Sequence, residues 1–125
     1  MQLQFVGCGD ALGSGGRYNT CFHVTGSHVN FLIDCGASSL PALKRLGIAR
    51  DDIDLILITH FHGDHFAGLP FLLLDAQFTR RTRPLVIAGP DSVVGWSHQA
   101  ASPGELPGAN LIFDGLAATA PGASA

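Results

Sequence analysis

A short apolar run, Leu55-Ile56-Leu57-Ile58, stands between Asp54 and Thr59 and leads directly into His60-Phe61-His62-Gly63-Asp64-His65. A strand with one wet face alternates apolar and polar residues, whereas this run is nearly continuous and predicts a strand buried on both faces. Burial on both faces requires layers above and below a sheet, which points away from a helical bundle or a β-sandwich. The same strand delivers three of the chain's six histidines to its C-terminal end. That is the edge of an α/β sheet at which ligands are bound.

The flanking sequence supplies the rest of such a sheet. Leu3, Val6 and Phe5 run to Gly7-Cys8-Gly9 and predict a first strand that enters a glycine-rich turn, prolonged by Gly13-Ser14-Gly15-Gly16. Thr20 to Val24 and Val29 to Ile33 are rich in β-branched and aromatic residues, and Gly26-Ser27 between them predicts a hairpin. Ser39 precedes Leu40, Leu43 and Leu46, with Pro41 in the first turn and Gly47 as the stop, so a helix with a leucine stripe follows. Leu69 to Phe78 is apolar and helical, with Arg80, Arg81 and Arg83 at or beyond its end, and Leu85 to Ala88 predicts another buried strand. Strand, helix, strand, helix, strand in this order gives an α/β fold.

Composition sets the limits. At 125 residues the chain holds one core, and 46% hydrophobic against 14% charged residues marks it as globular. A net charge of -3 creates no general field for a phosphate backbone, so a nucleic-acid role needs a local site. The longest apolar run, Leu69 to Leu74, contains Pro70 and falls far short of a membrane span. With no basic stretch and apolar segment at the start, the expected location is cytoplasmic. Cys8, Cys21 and Cys35 form no CxxC pair and are expected to be reduced, buried side chains. His23 and His28 flank the hairpin turn and are expected to be exposed, while the arginines either hold a substrate phosphate or sit in water near a helix end. Gly7-Cys8-Gly9 is not a dinucleotide fingerprint, since Leu12 stands where the third glycine belongs. From Gly95 onward nineteen of thirty-one residues are Ala, Gly, Pro or Ser and none is Lys or Arg. The expected division is therefore an ordered 1–90 and a divergent 91–125.

The histidine window carries the chemistry. In extended backbone His60 and His62 point the same way and can serve one ion; Gly63 permits a tight bend, beyond which Asp64 and His65 can turn toward a second ion. This donor mixture suits zinc and tolerates iron or manganese. Two neighbouring ions acidify a water and clamp the oxygens of a displacement, which makes hydrolysis the expected reaction class.

Thr59-His60-Phe61-His62-Gly63-Asp64-His65 resembles the HxHxDH signature of the metallo-β-lactamase-fold hydrolases. Gly13-Ser14-Gly15-Gly16-Arg17-Tyr18-Asn19-Thr20 and His62 to Pro70 resemble the ribonuclease Z-like phosphodiesterase branch. The resemblance implies that His60 and His62 bind the first metal and Asp64 and His65 the second. It also implies that Asp64 accepts the proton of the attacking water. Asp34, in Asp34-Cys35-Gly36, corresponds to the family's acidic residue at an earlier strand end. It either holds the loop or a ligand histidine, or caps the turn at Gly36. Thr59 either bonds within the loop or serves only as a strand residue.

The family fold is a four-layer αββα sandwich whose remaining ligands, a His, a bridging Asp and a final His, lie in its second half. No match to them follows His65, and His98 lies in a context unlike the family's. The expected fold class is α/β, the truncated N-terminal half of that sandwich, either a fragment or a chain whose frame shifts near Pro90. A metal-dependent hydrolase is expected, acting on RNA or a smaller phosphodiester, with another ester, thioester or lactam open. The alternative is an inactive fragment that self-associates through uncovered apolar faces such as those of Ile56, Ile58 and Val86.

Overall fold

The computed structural model describes residues 1–90; the expectations for 91–125, His98 included, lie outside the described residues. Five strands form one sheet in the order β1-β2-β3-β4-β5. They are β1 (Gln2–Gly7), β2 (Cys21–Thr25), β3 (Asn30–Ile33), β4 (Leu55–Leu57) and β5 (Val86–Ala88). The first three pair antiparallel and the last three parallel, as a hairpin followed by two helical crossovers requires. The helices are α1 (Ser39–Arg45), α2 (Gly63–Phe66) and α3 (Leu69–Phe78).

Register places Leu32, Ile56 and Ile87 side by side on β3, β4 and β5, and all three are fully buried. Leu43 from α1 and Leu69, Leu72 and Leu73 from α3 join them in one core cluster. The leucine stripe expected on α1 is only partly used. Leu46 is 45% exposed at the helix end, and Ala42, a turn earlier, occupies the core instead.

The opposite face of the sheet also carries apolar side chains in two rows. Leu3, Val24, Phe31, Leu55 and Val86 make one; Phe5, Phe22, Ile33, Leu57 and Ala88 make the other. Leu3 and Phe5 are 58% and 61% exposed, and Phe5 stands edge-on to Phe22. Ile56 and Ile58, expected to be uncovered, are instead buried under the helices, because they point to the core side of β4 and its extension. Their strand neighbours lie on the opposite face, where Val24 is buried and, of the two rows, Leu3 and Phe5 are exposed.

Two smaller expectations change. His23 is buried, 8% exposed, because register aims it at the core side, where Asn30 Oδ1 meets its Nε2. His28 is exposed. Cys21 and Cys35 are buried, but Cys8 lies at the surface where the chain leaves β1. Burial raises the Cys21 thiol to about 12 and pushes Cys35 up further, with the Asp34 carboxylate adding to both. Iodoacetamide at pH 8 is therefore expected to modify Cys8 alone in the folded chain and all three thiols after denaturation, read by intact mass. The folded state holds the Cys21 proton more tightly than the unfolded chain does, so stability present below pH 9 falls as pH rises toward 12.

Of the arginines after α3, Arg80 is exposed near the helix end, one of the two places expected, whereas Arg81 and Arg83 are held by the ends of the sheet. Arg81 donates to four carbonyls, those of Ile53 (2.6 Å), Arg50 (2.8 Å), Arg83 (2.9 Å) and Pro84 (3.0 Å). Arg83 donates to the Asp51 carbonyl and pairs with Asp54. Both fasten the N-terminal ends of β4 and β5, whereas the histidines follow the C-terminal end of β4, about 17 Å away along the strand. Arg81→Ala is expected to cost about 1–3 kcal/mol by stranding those carbonyls, and Arg81→Lys recovers only part, since an ammonium cannot fork among them. Urea unfolding measures both.

Candidate metal centre

The β4 ladder ends at Leu57, earlier than the apolar run predicts, because the neighbouring strand turns away at Asp34. Asp34 has φ 64, in the left-handed region that a short polar side chain tolerates best among non-glycine residues. Its N–H still donates to the Leu57 carbonyl at 2.7 Å, while its carboxylate turns beneath the histidine loop. There Oδ1 accepts from the Thr59 N–H at 2.8 Å, and Oδ2 accepts from His65 Nδ1 at 2.7 Å. Thr59 Oγ1 lies 3.1 and 2.9 Å from the two carboxylate oxygens, and His60 Nδ1 lies 2.8 Å from Thr59 Oγ1. The turn at Gly36 is capped by another residue, the Ser39 hydroxyl, which accepts from the Gly36 N–H at 2.8 Å. Asp34 serves the loop and His65.

Residues 58–62 follow β4 without regular secondary structure and reach His62 in extended backbone. Phe61 packs against the core and meets Phe66 edge-on at 5.3 Å. His60 and His62 emerge on the other side with ring centroids 4.5 Å apart. At Gly63 the chain enters the single turn of α2, whose start at His62 brings His65 back over the loop, 4.2 Å from the His60 ring. Gly63 does not adopt positive φ, and a Cβ there would meet nothing nearer than Ala67 Cβ at 3.9 Å. The bend is therefore a helix start that needs no glycine.

The glycines that matter are elsewhere. A Cβ on Gly36 would stand 2.1 Å from the Asp64 carbonyl oxygen, and one on Gly68 would stand 2.0 Å from the Gly36 carbonyl oxygen. These approaches let Cys35 N–H donate to the His65 carbonyl (2.8 Å) and Gly68 N–H to the Cys35 carbonyl (3.0 Å). A third segment locks on through Asn19, which receives the Ser38 N–H and donates its own N–H to the Ser38 hydroxyl. Sequence reasoning missed these supports. Asn19 at the end of the glycine-rich turn was the available signal.

The loop thus brings His60, His62 and His65 together, with Asp64 Oδ2 3.3 Å from His65 Nε2. His65 turns Nε2 toward the Asp64 carboxylate because Nδ1 is engaged with Asp34. This donor set fits a divalent ion of the zinc type. Among the described residues no three His, Cys, Asp or Glu side chains converge on one point as they stand, so the loop gathers the donors without closing a centre.

A family model described as Anti-Pycsar protein Apyc1 matches residues 1–99. Ribonuclease Z of Clostridium kluyveri is 42% identical over 94 residues, covering 75% of this chain and 31% of that protein. Ribonuclease Z of Agathobacter rectalis is 46% identical over 74 residues, covering 59% and 24%. The chain thus spans no more than about a third of these curated relatives. Among solved structures, human tRNase Z, short form, superposes with a TM-score of 0.77 at 28% identity, over 90% of this chain and 42% of that one. The metallo-β-lactamase fold protein YhfI of Bacillus subtilis gives 0.66 at 21% identity, over 78% and 39%, a likeness of fold. One mixed sheet with its helices, the HxHxDH loop at the sheet's C-terminal edge and these matches agree. The chain belongs to the sequence family described as Anti-Pycsar protein Apyc1 and has the metallo-β-lactamase fold of the ribonuclease Z-like branch.

Proposed function

We propose that this chain carries the metal-binding loop of a phosphodiesterase of the ribonuclease Z type, with His60 and His62 serving one ion and Asp64 and His65 the other. The observation that carries the reading is the gathering of three imidazoles and the Asp64 carboxylate in one loop, with His65 held through Nδ1 by Asp34. Zinc suits these donors best, and iron or manganese are tolerated. Bound ions would supply Lewis acidity and acidify a water. Asp64 orients that water and accepts its proton, and Asp34 keeps His65 facing the site. The substrate is RNA or a smaller phosphodiester. Its phosphate contacts must come from residues other than Arg81 and Arg83, which are committed at the far end of the sheet. We place the protein in the cytoplasm, where free thiols stay reduced.

The test is hydrolysis of bis(p-nitrophenyl) phosphate with added zinc or manganese. Turnover that disappears in His62→Ala and Asp64→Ala supports the reading; turnover indifferent to both variants removes it.

The two apolar rows on the sheet face opposite the helices, with Leu3 and Phe5 exposed, favour a second reading, in which the 125-residue chain is inactive by itself and pairs through that face. A dimer or larger species on sizing, broken by Phe5→Lys, together with negligible zinc content supports it. A monomer with stoichiometric zinc contradicts it.

A further inference from the structure

We propose that Thr59 is a positioning residue that fixes the tautomer of His60, so that one buried carboxylate, Asp34, sets the metal-facing nitrogen of a histidine in each half of the site. The proposal rests on the metal-binding reading only for its purpose; the proton assignment follows from the geometry.

Asp34 can only accept. Thr59 Oγ1 lies within hydrogen-bond distance of both its oxygens, so the single hydroxyl proton points at the carboxylate. The Thr59 oxygen then has only lone pairs to offer His60 Nδ1, 2.8 Å away. His60 must therefore carry its proton on Nδ1 and leave Nε2 unprotonated. His65 places a proton on Nδ1 directly, donating to Asp34 Oδ2 at 2.7 Å, with its Nε2 3.3 Å from Asp64 Oδ2. Asp34 is buried, and its partners account for both oxygens, so the carboxylate has little room to choose others. A neutral imidazole free in water prefers the proton on Nε2, the nitrogen a metal would need here. The Asp34-Thr59 pair reverses that preference before any ion arrives, as outer partners of ligand histidines generally do. Thr59 thereby couples His60 to the carboxylate that orients His65, though the two rings serve different ions.

A role of Thr59 as a β-branched strand residue would be kept by valine and lost by serine; the tautomer role is the reverse. Long-range proton–nitrogen spectra of the metal-free full chain, recorded above the imidazole titration, read the tautomer of each ring. The expected result is Nδ1–H for His60 and His65 in the unsubstituted chain and in Thr59→Ser. In Thr59→Val, His60 reverts to Nε2–H while His65 keeps Nδ1–H, which also reports that the loop remains folded. Nε2–H at His60 in the unsubstituted chain overturns the proposal whatever the variants do, as does Nδ1–H at His60 in Thr59→Val. In a chelator competition with zinc, Thr59→Val is expected to weaken binding about 10–100-fold and Thr59→Ser about twofold or less. Equal zinc affinity in the valine variant also overturns it. An unsubstituted chain with the expected tautomers but no phosphodiester turnover counts against the hydrolase reading alone.

Discussion

Gly68→Ala is expected to destabilise the chain by about 3 kcal/mol or more, the upper range of overpacking in a tightly fitted site. The cost comes from space, because Gly68 has ordinary helical angles that alanine accepts readily. Its Cβ would lie 2.0 Å from the Gly36 carbonyl oxygen, 2.9 Å from the Gly36 carbonyl carbon and 3.1 Å from the Cys35 oxygen. These are backbone atoms, so no side chain can swing aside. Separating the two segments by more than an ångström breaks the hydrogen bonds between Cys35 and His65 and between Gly68 and Cys35. It also draws Asp34 away from His65, so zinc binding falls together with stability. Gly63→Ala, inside the motif itself, is the matching control. It meets nothing within van der Waals contact except Ala67 Cβ and should be neutral or stabilising by up to about 1 kcal/mol. Urea midpoints of the two variants rank them. A Gly68→Ala midpoint equal to that of the unsubstituted chain would show that the two loops are not packed as described.

Asp34→Asn is expected to separate metal affinity from folding. Asparagine tolerates the left-handed backbone at φ 64 and keeps one oxygen for the Thr59 N–H, so the fold survives with a loss of about 1–3 kcal/mol. Its amide nitrogen, however, takes the place of the oxygen that accepts from His65 Nδ1. The ring must then accept at Nδ1 and carry its proton on Nε2, which removes a metal donor. Zinc affinity should fall about 10–100-fold, more than stability alone explains. Asp34→Ala leaves three donors beneath the loop with no acceptor and should cost roughly 3–5 kcal/mol, with unfolding and metal loss occurring together. Unchanged zinc affinity in Asp34→Asn would mean that His65 does not bind through Nε2.

The strands and helices were legible because their signals are local. The unbroken apolar run at Leu55 to Ile58 and the hairpin around Gly26-Ser27 each depend on neighbours in sequence. What could not be read depends on register or on distant backbone. His23 looks like a polar turn-flanking residue until the pairing with Leu32 turns it inward. Ile56 and Leu57 are equally apolar, yet only the placement of α1 and α3 decides which is covered. The histidines announced themselves by spacing, and Asp34 could be found through the family resemblance. Gly36 and Gly68 carried no such mark, since their need for a missing side chain arises where two loops far apart in sequence touch. Arg81 misled for the same reason. A cation after a helix reads as solvent or phosphate until four carbonyls from separate segments are found around it.

His60, His62, Asp64 and His65 are expected to form the metal-binding loop of this chain. X-ray absorption at the zinc edge on the full chain with added zinc tests it most directly. The expected spectrum has a nitrogen and oxygen shell at about 2.0–2.1 Å that includes at least two imidazoles, with no sulfur from the cysteines. Removing His60 and His62 together should reduce the imidazole contribution. A shell without imidazole, or one unchanged by that double substitution, would contradict it.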